Sequence, residues 1–204
     1  MRWTPVAALL AVVASASLAA QGIDNLERIR ALLARPDVLC GQFAQAKTLV
    51  GLQRPVKSSG RFCVVADKGV LWRTLQPFAT TLRLTRDEIV ESRGGDVTAR
   101  MSAAQEPAVR VINDLLFSLL AGDMKRLTGT FDVASTIDGG TWQATLAPKD
   151  GGMKRAIGSI DLSGGEFVSH IVIRETGGDR TEITFTAIAT GQGAMLADEA
   201  KQFE

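Results

Sequence analysis

"DVLCGQFAQAKTLVGLQRPVKSSGRFCVVAD", residues 37–67, decides the fold. Both halves alternate apolar and polar residues as strands do, and "GLQRP" interrupts them. Placing Cys40 directly opposite Cys63 sets the register, because opposed residue numbers in an antiparallel pair keep a constant sum. Val50 then faces Gln53, and Gly51-Leu52 becomes a two-residue loop, with glycine where a type II′ turn requires it. The same register sets Gly41 opposite Phe62 and Phe43 opposite Gly60. Each ring gains room beside a glycine, and the two Phe share one face. The cysteines meet on the other face, and in an exported protein a disulfide is permitted there. The competing reading is a pair of unpaired structural thiols. Two cysteines and a single distant histidine do not make a closed metal site.

Strand patterns continue outward from this hairpin. "GVLWRTL" follows "ADKG", and "ATTLRLT" and "EIVESR" flank the tight "RDE", with "DVTARMS" as a short further strand. The period then changes. "EPAVRVINDLLFSLLAGD" places Val109, Ile112, Leu115, Leu116, Leu119 and Leu120 at helical spacing, with Phe117 widening the apolar face. Pro107 suits the first turn of this helix and Gly122 its end. An earlier helix, "IDNLERIRALLARP", carries Ile23, Leu26, Ile29, Leu32 and Leu33 on one stripe and stops at Pro36. Strands return in "GTFDVASTI", "GTWQATLAPK", "RAIGSIDLS", "EFVSHIVIRE" and "RTEITFTAI", separated by Gly-rich breaks that read as hairpin turns. The tail "AMLADEAKQFE" reads as weakly helical or loose. Ten to eleven strands joined by short turns exclude a βαβ sheet. The expected class is α+β, mainly β: an unclosed antiparallel barrel with helices covering one mouth.

The first twenty residues read as a signal peptide: Arg2, an apolar run from Val6 to Val13, then small residues. Cleavage follows Ala19, with Ser17 at the −3 position, or Ala20. The alternative is a buried N-terminal helix. The apolar run is too short to span a bilayer. Residues 21–204 are then one exported domain, monomeric and periplasmic. The chain has 23 Lys+Arg against 22 Asp+Glu, and removing Arg2 leaves 22 against 22. Such a balance excludes the basic stripe of a nucleic-acid binder and a polybasic membrane anchor.

Catalytic motifs do not emerge. His170 is alone and mid-strand, "DLSGG" lacks the leading glycine of a nucleophile elbow, and "GQGAML" is no dinucleotide fingerprint. No adjacent acid pair stands out as general acid and base. The expected assignment is therefore no catalytic residue, no cofactor and no metal.

"GQFAQ", "SSGRF", "GVLWRTLQPF", "GTWQATLAPKD", "IDLSGG" and "IRETGGDRTEITF" together resemble, in this order, the LolA family of periplasmic outer-membrane lipoprotein carriers, in particular a LolA-related branch. The resemblance covers nearly the whole chain after the signal peptide. It implies an unclosed barrel whose hydrophobic cavity holds the acyl chains of a lipoprotein or another lipid, with an inner-membrane donor and an outer-membrane acceptor as partners. It implies no cofactor and no chemical step. The cavity candidates are Phe43, Phe62, Val64, Leu71, Trp72, Leu82, Leu84, Leu116, Phe117, Leu120, Trp142, Ile171 and Ile173, with Trp72 first because it matches the family motif; the competing reading of each is a residue of a closed core, which strand parity does not distinguish from a cavity. One departure concerns the lid. The family usually carries an Arg-Pro pair shortly before this Trp, and this chain has Asp67 and Lys68 instead; lysine is the poorer multidentate donor. A lipid-sensing regulatory module on the same fold, or an exported lipid-acting enzyme, are the other classes to weigh.

Overall fold

The computed structural model describes residues 25–102 and 124–203. The signal peptide, Ile23 and the 107–121 helix with Leu116, Phe117 and Leu120 lie outside them. The described residues form one sheet with the order β6-β5-β4-β3-β2-β1-β11-β10-β9-β8-β7. Its strands are β1 (Val38–Thr48), β2 (Val56–Val65), β3 (Gly69–Gln76), β4 (Thr80–Leu84), β5 (Glu88–Arg93) and β6 (Asp96–Ser102), then β7 (Phe131–Asp138), β8 (Thr141–Pro148), β9 (Ile157–Gly164), β10 (Val168–Glu175) and β11 (Arg180–Thr190). Every adjacent pair is antiparallel. β6 and β7 are the two edges, so the barrel is unclosed. One non-local pairing, β1 with β11, joins the first half of the sheet to the second.

The opening hairpin has the register expected of it. Cys40 opposes Cys63, Gly41 opposes Phe62 and Phe43 opposes Gly60. Cys40 and Cys63 are joined by a disulfide that closes a separation of 23 residues. A loop of that length corresponds to about 3 kcal/mol in the chain-entropy model. The turn differs from expectation. The ladder ends at Lys47 opposite Val56, because Pro55 has no N–H to donate to a further rung. A four-residue turn follows, in which the Leu52 N–H donates to the Leu49 carbonyl at 3.0 Å. Gly51 sits third in that turn with φ +88°. That is the glycine position of a type II turn, not the first loop position of a type II′ hairpin.

Strand parity divides the side chains between two faces. On the inner face, helix 25–32 and the helix Met124–Thr130 lie over β7–β10. Leu26, Ile29, Leu33 and Leu127 bury themselves there against Phe131, Trp142, Leu146, Ile160 and Leu162. The stripe at three- and four-residue spacing thus becomes one side of a closed core. The chain leaves the first helix through Ala34, whose N–H donates to the Glu166 carbonyl at 2.9 Å.

The outer face buries Val38, Cys40, Cys63, Val65 and Leu71 beneath Ala194, Met195 and Phe203. The tail is therefore not loose. It folds back as short turns, Gln192–Ala194, Ala197–Ala200 and Lys201–Phe203, and Glu199 is 1% exposed. Arg61 donates to both Glu199 oxygens, at 3.0 and 3.3 Å, and the Leu196 N–H donates to Oε2 at 2.9 Å. Arg73 pairs with Asp198 at 2.7 Å, and Lys68 donates to the Phe203 carbonyl at 3.1 Å. Lys68, in the stretch where the family's Arg-Pro would fall, holds the tail. Glu199 Oε2 also lies 3.3 Å from Cys63 Sγ. That is a contact rather than a hydrogen bond, since a disulfide sulfur carries no proton. The joined sulfurs likewise offer no thiolate to a metal.

Further along the outer face, a polar network crosses β8–β11. Asp161 accepts from Arg174 and from Thr145, and Glu182 accepts from Arg180 and contacts His170 Nε2 at 2.9 Å. Burial pushes Asp161 up, but the hydrogen bonds from Arg174 and Thr145 outweigh it and leave its carboxyl below the usual aspartate range. Arg180, then His170, lower Glu182. A carboxylate held low in the folded state contributes stability above its unfolded pKa and loses it as pH falls through the folded value. The melting temperature is thus expected to stay level above about pH 5 and to fall below about pH 4. An Asp161→Asn/Glu182→Gln variant should melt lower near neutrality and lose less on acidification, as thermal melts across pH would record.

Candidate functional site

The two glycines of the opening hairpin organise the inner face of β1–β4. Gly60 carries no side chain, so the Phe43 ring on β1 leans across β2 and stacks on Trp72 of β3, centroids 3.8 Å apart. Gly41 does the same in the other direction. The Phe62 ring lies over it and meets Phe185 of β11 edge-on at 4.9 Å. Phe62 and Phe185 also flank Trp72, at 6.2 and 6.1 Å. Four rings from β1, β2, β3 and β11 make one cluster, each contact adding about 1 kcal/mol beyond the area it buries.

Beside the cluster, Val70, Leu84 and Ile89 are buried, and Val64, Trp72, Leu82 and Met101 pack on them while only partly buried. This apolar stripe runs across β2–β6 on the same face as Trp72, as the pairs Phe62–Trp72, Trp72–Leu82 and Leu84–Ile89 require. Helix 25–32 and the helix Met124–Thr130 cover the other half of this face. Among the described residues, the inner face thus has a helix-covered core over β7–β10 and a separate apolar surface over β1–β6, where Phe43 and Phe62 are buried at 2% and 6% exposed while Val64, Trp72, Leu82 and Met101 are only partly buried.

The structure divides the candidates accordingly. Phe43, Phe62, Val64, Trp72, Leu82 and Leu84 come together on the β1–β6 surface. Trp142 belongs to the closed core instead, 2% exposed, its indole N–H donating to the Gly165 carbonyl at 2.9 Å. Ile171 and Ile173 pack against that core. Leu71 is a correction. It neighbours Trp72 in the chain, so it points to the opposite face, where it is buried with the disulfide. Leu116, Phe117 and Leu120 lie outside the described residues. Sequence reading missed Phe185, Val70, Ile89 and Met101. Phe185 alternates correctly in "TEITFTAI", but only the β1–β11 pairing, Phe43 opposite Phe185, brings it to the site.

Two cavities among the described residues lie away from this surface. One of about 330 Å³ is polar, lined by Thr136, Asp138, Gln143 and Ser163 at the β7–β9 end. An open groove of about 740 Å³ runs between Ala44, Lys57, Ser59 and Pro77. His170, the one histidine, is engaged by Glu182 on the outer face, away from the aromatic cluster.

An unclosed antiparallel barrel with an apolar inner surface and an aromatic cluster drawn from β1, β2, β3 and β11 is the architecture of the described residues. This chain belongs to the family described as outer membrane lipoprotein carrier protein LolA-like, whose model matches residues 16–203. A search of curated proteins returns no match. Among solved structures, a DUF1329 family protein from Desulfovibrio piger superposes with TM-score 0.50 at 11% identity, over 92% of this chain and 99% of that one. A LolA superfamily protein from Nitrosomonas europaea gives TM-score 0.48 at 9% identity, over 90% and 97%. The MucA/MucB complex of Pseudomonas aeruginosa gives 0.49 at 16%, over 90% of this chain and 60% of that one. At 11% identity the likeness to the Desulfovibrio piger protein is one of fold.

Proposed function

We propose that this chain is a periplasmic carrier, a single domain over residues 21–204 released by signal cleavage near Ala19 or Ala20. It takes the acyl chains of a lipoprotein or another lipid onto the inner face of β1–β6 and ferries them toward the outer membrane, between a donor at the inner membrane and an acceptor at the outer. It works without catalysis, cofactor or metal. The observation that carries this reading is the apolar stripe beside the stacked Phe43–Trp72 pair, in which Val64, Trp72, Leu82 and Met101 are only partly buried. Transfer of an acyl chain from water is worth about 0.8 kcal/mol per methylene, so an apolar surface suffices for affinity. Release requires a receptor that binds the cargo better, or a lid that opens.

Native mass spectrometry of protein purified from its own periplasm tests the reading by looking for co-purifying lipid. Trp72→Asp sets a charge in the centre of the surface and should weaken binding of an apolar dye roughly tenfold or more. A folded Trp72→Asp protein with wild-type dye affinity would place the binding surface elsewhere.

A further inference from the structure

Seven large apolar residues stand out as exposed: Val50, Leu52, Val56, Leu75, Phe78, Val97 and Leu196. Six of them collect at one end of the sheet. Lys47 opposite Val56, Ser59 opposite Gln76 and Arg93 opposite Asp96 set the β1–β2, β3–β4 and β5–β6 turns side by side there, and only Leu196 lies on the tail. Phe78 is 76% exposed and Val50 69%. Val50 is nonetheless held in place. Its N–H donates to Asp179 at 2.9 Å, and its side chain lies against the Gly178 backbone. The groove lined by Lys57, Ser58, Gln76 and Pro77, with Glu182 of β11 on its far side, joins the first two turns into one surface.

The β1–β2 and β3–β4 turns carry charge of one sign, while Asp179 of the β10–β11 turn and Asp96 of the β5–β6 turn stand at the same end. Residues 49–57 contain Arg54 and Lys57 and no acid, and residues 74–81 contain no charged residue. Both cations are exposed, and among the described residues neither makes an ion pair. Apolar side chains projecting from separate turns, interleaved with unpaired cations, suit a layered partner that is apolar below and anionic at its surface. They do not suit a fitted protein interface, which needs a contiguous packed centre.

We propose that the β1–β2 and β3–β4 turns form a docking surface for a lipid bilayer bearing anionic headgroups. Leu52 and Phe78 enter the headgroup region, and Arg54 and Lys57 meet the phosphates. The surface is distinct from the proposed acyl-chain site and does not depend on it. The test is co-sedimentation of the mature chain with phosphatidylcholine vesicles, with and without phosphatidylglycerol. Binding should be stronger with phosphatidylglycerol and should weaken as salt is added. Leu52→Ser/Phe78→Ser should lower partitioning by roughly tenfold or more. Arg54→Gln/Lys57→Gln should abolish the preference for phosphatidylglycerol. Leu196→Ser, an exposed leucine off this end, and Trp72→Asp, in the acyl-chain site, should both partition as wild type. Absence of sedimentation with either vesicle would overturn the proposal, as would an equal loss in Leu196→Ser. A loss confined to Trp72→Asp would also overturn it, by assigning vesicle binding to the acyl-chain site.

Discussion

Gly60→Ala is expected to destabilise the protein by about 3 kcal/mol, at the upper end of what overpacking costs. A Cβ at Gly60 would lie 1.8 Å from the Arg73 carbonyl oxygen and 3.0 Å from Cε1 of Phe43. The first neighbour is backbone, held by the β2–β3 ladder at its register shift between Ser59 and Gly60, so it cannot swing aside. The second is the ring stacked on Trp72. The substitution therefore distorts the ladder and displaces the stack together. Gly41→Ala is the internal control. Its nearest neighbour, Cε1 of Phe62 at 2.8 Å, belongs to a side chain, and the nearest backbone atom is at 3.0 Å, so its cost should be clearly smaller. Urea unfolding checks both: the midpoint should fall further for Gly60→Ala, with an unchanged slope. An equal or greater loss in Gly41→Ala would contradict this account of the hairpin.

Glu199→Ala should cost about 3 kcal/mol, the low end for breaking a buried ion pair. Glu199 is 1% exposed, but the Arg61 side chain is 27% exposed and regains some water once its partner is gone. Removing the carboxylate also strips the Leu196 N–H of its acceptor and loosens the turn that lies over the disulfide. Glu199→Gln keeps the shape and one acceptor, so its loss should be smaller. Exposure of the disulfide follows from the same geometry: the rate of its reduction by a small thiol should rise in Glu199→Ala before the protein unfolds. Wild-type stability in Glu199→Ala would mean that the tail contributes nothing to the fold.

Local pattern was enough for the first hairpin. Alternation and two cysteines at a matching separation set the β1–β2 register, and with it the Phe–Gly pairings that shape the aromatic cluster. Its turn was misread because the constant sum extends a ladder past the point where Pro55 ends it. Face assignment failed at Leu71, where closeness to Trp72 in sequence outweighed strand parity. Trp142 is apolar and on the correct face, but its closed surroundings come from helices at 25–32 and 124–130 that pack from distant parts of the chain. Phe185 needed the β1–β11 pairing, a contact between the two ends of the sheet that no local period announces. The tail had no signal of its own. "ADEAK" is an ordinary helical fragment, and only Arg61 and Arg73, more than a hundred residues earlier, convert Glu199 into a buried anchor.

The central claim is that the inner face of β1–β6 binds acyl chains by excluding water. Displacement of an environment-sensitive apolar dye from the mature protein, by single-chain lipids of one headgroup and increasing chain length, tests it most directly. Affinity should rise roughly fifteenfold per two methylenes, in keeping with about 0.8 kcal/mol for each one buried, until the surface is filled. Trp72→Asp should flatten the series. A wild-type protein that binds no dye and responds equally to every chain length would contradict the claim and leave a barrel with a solid core.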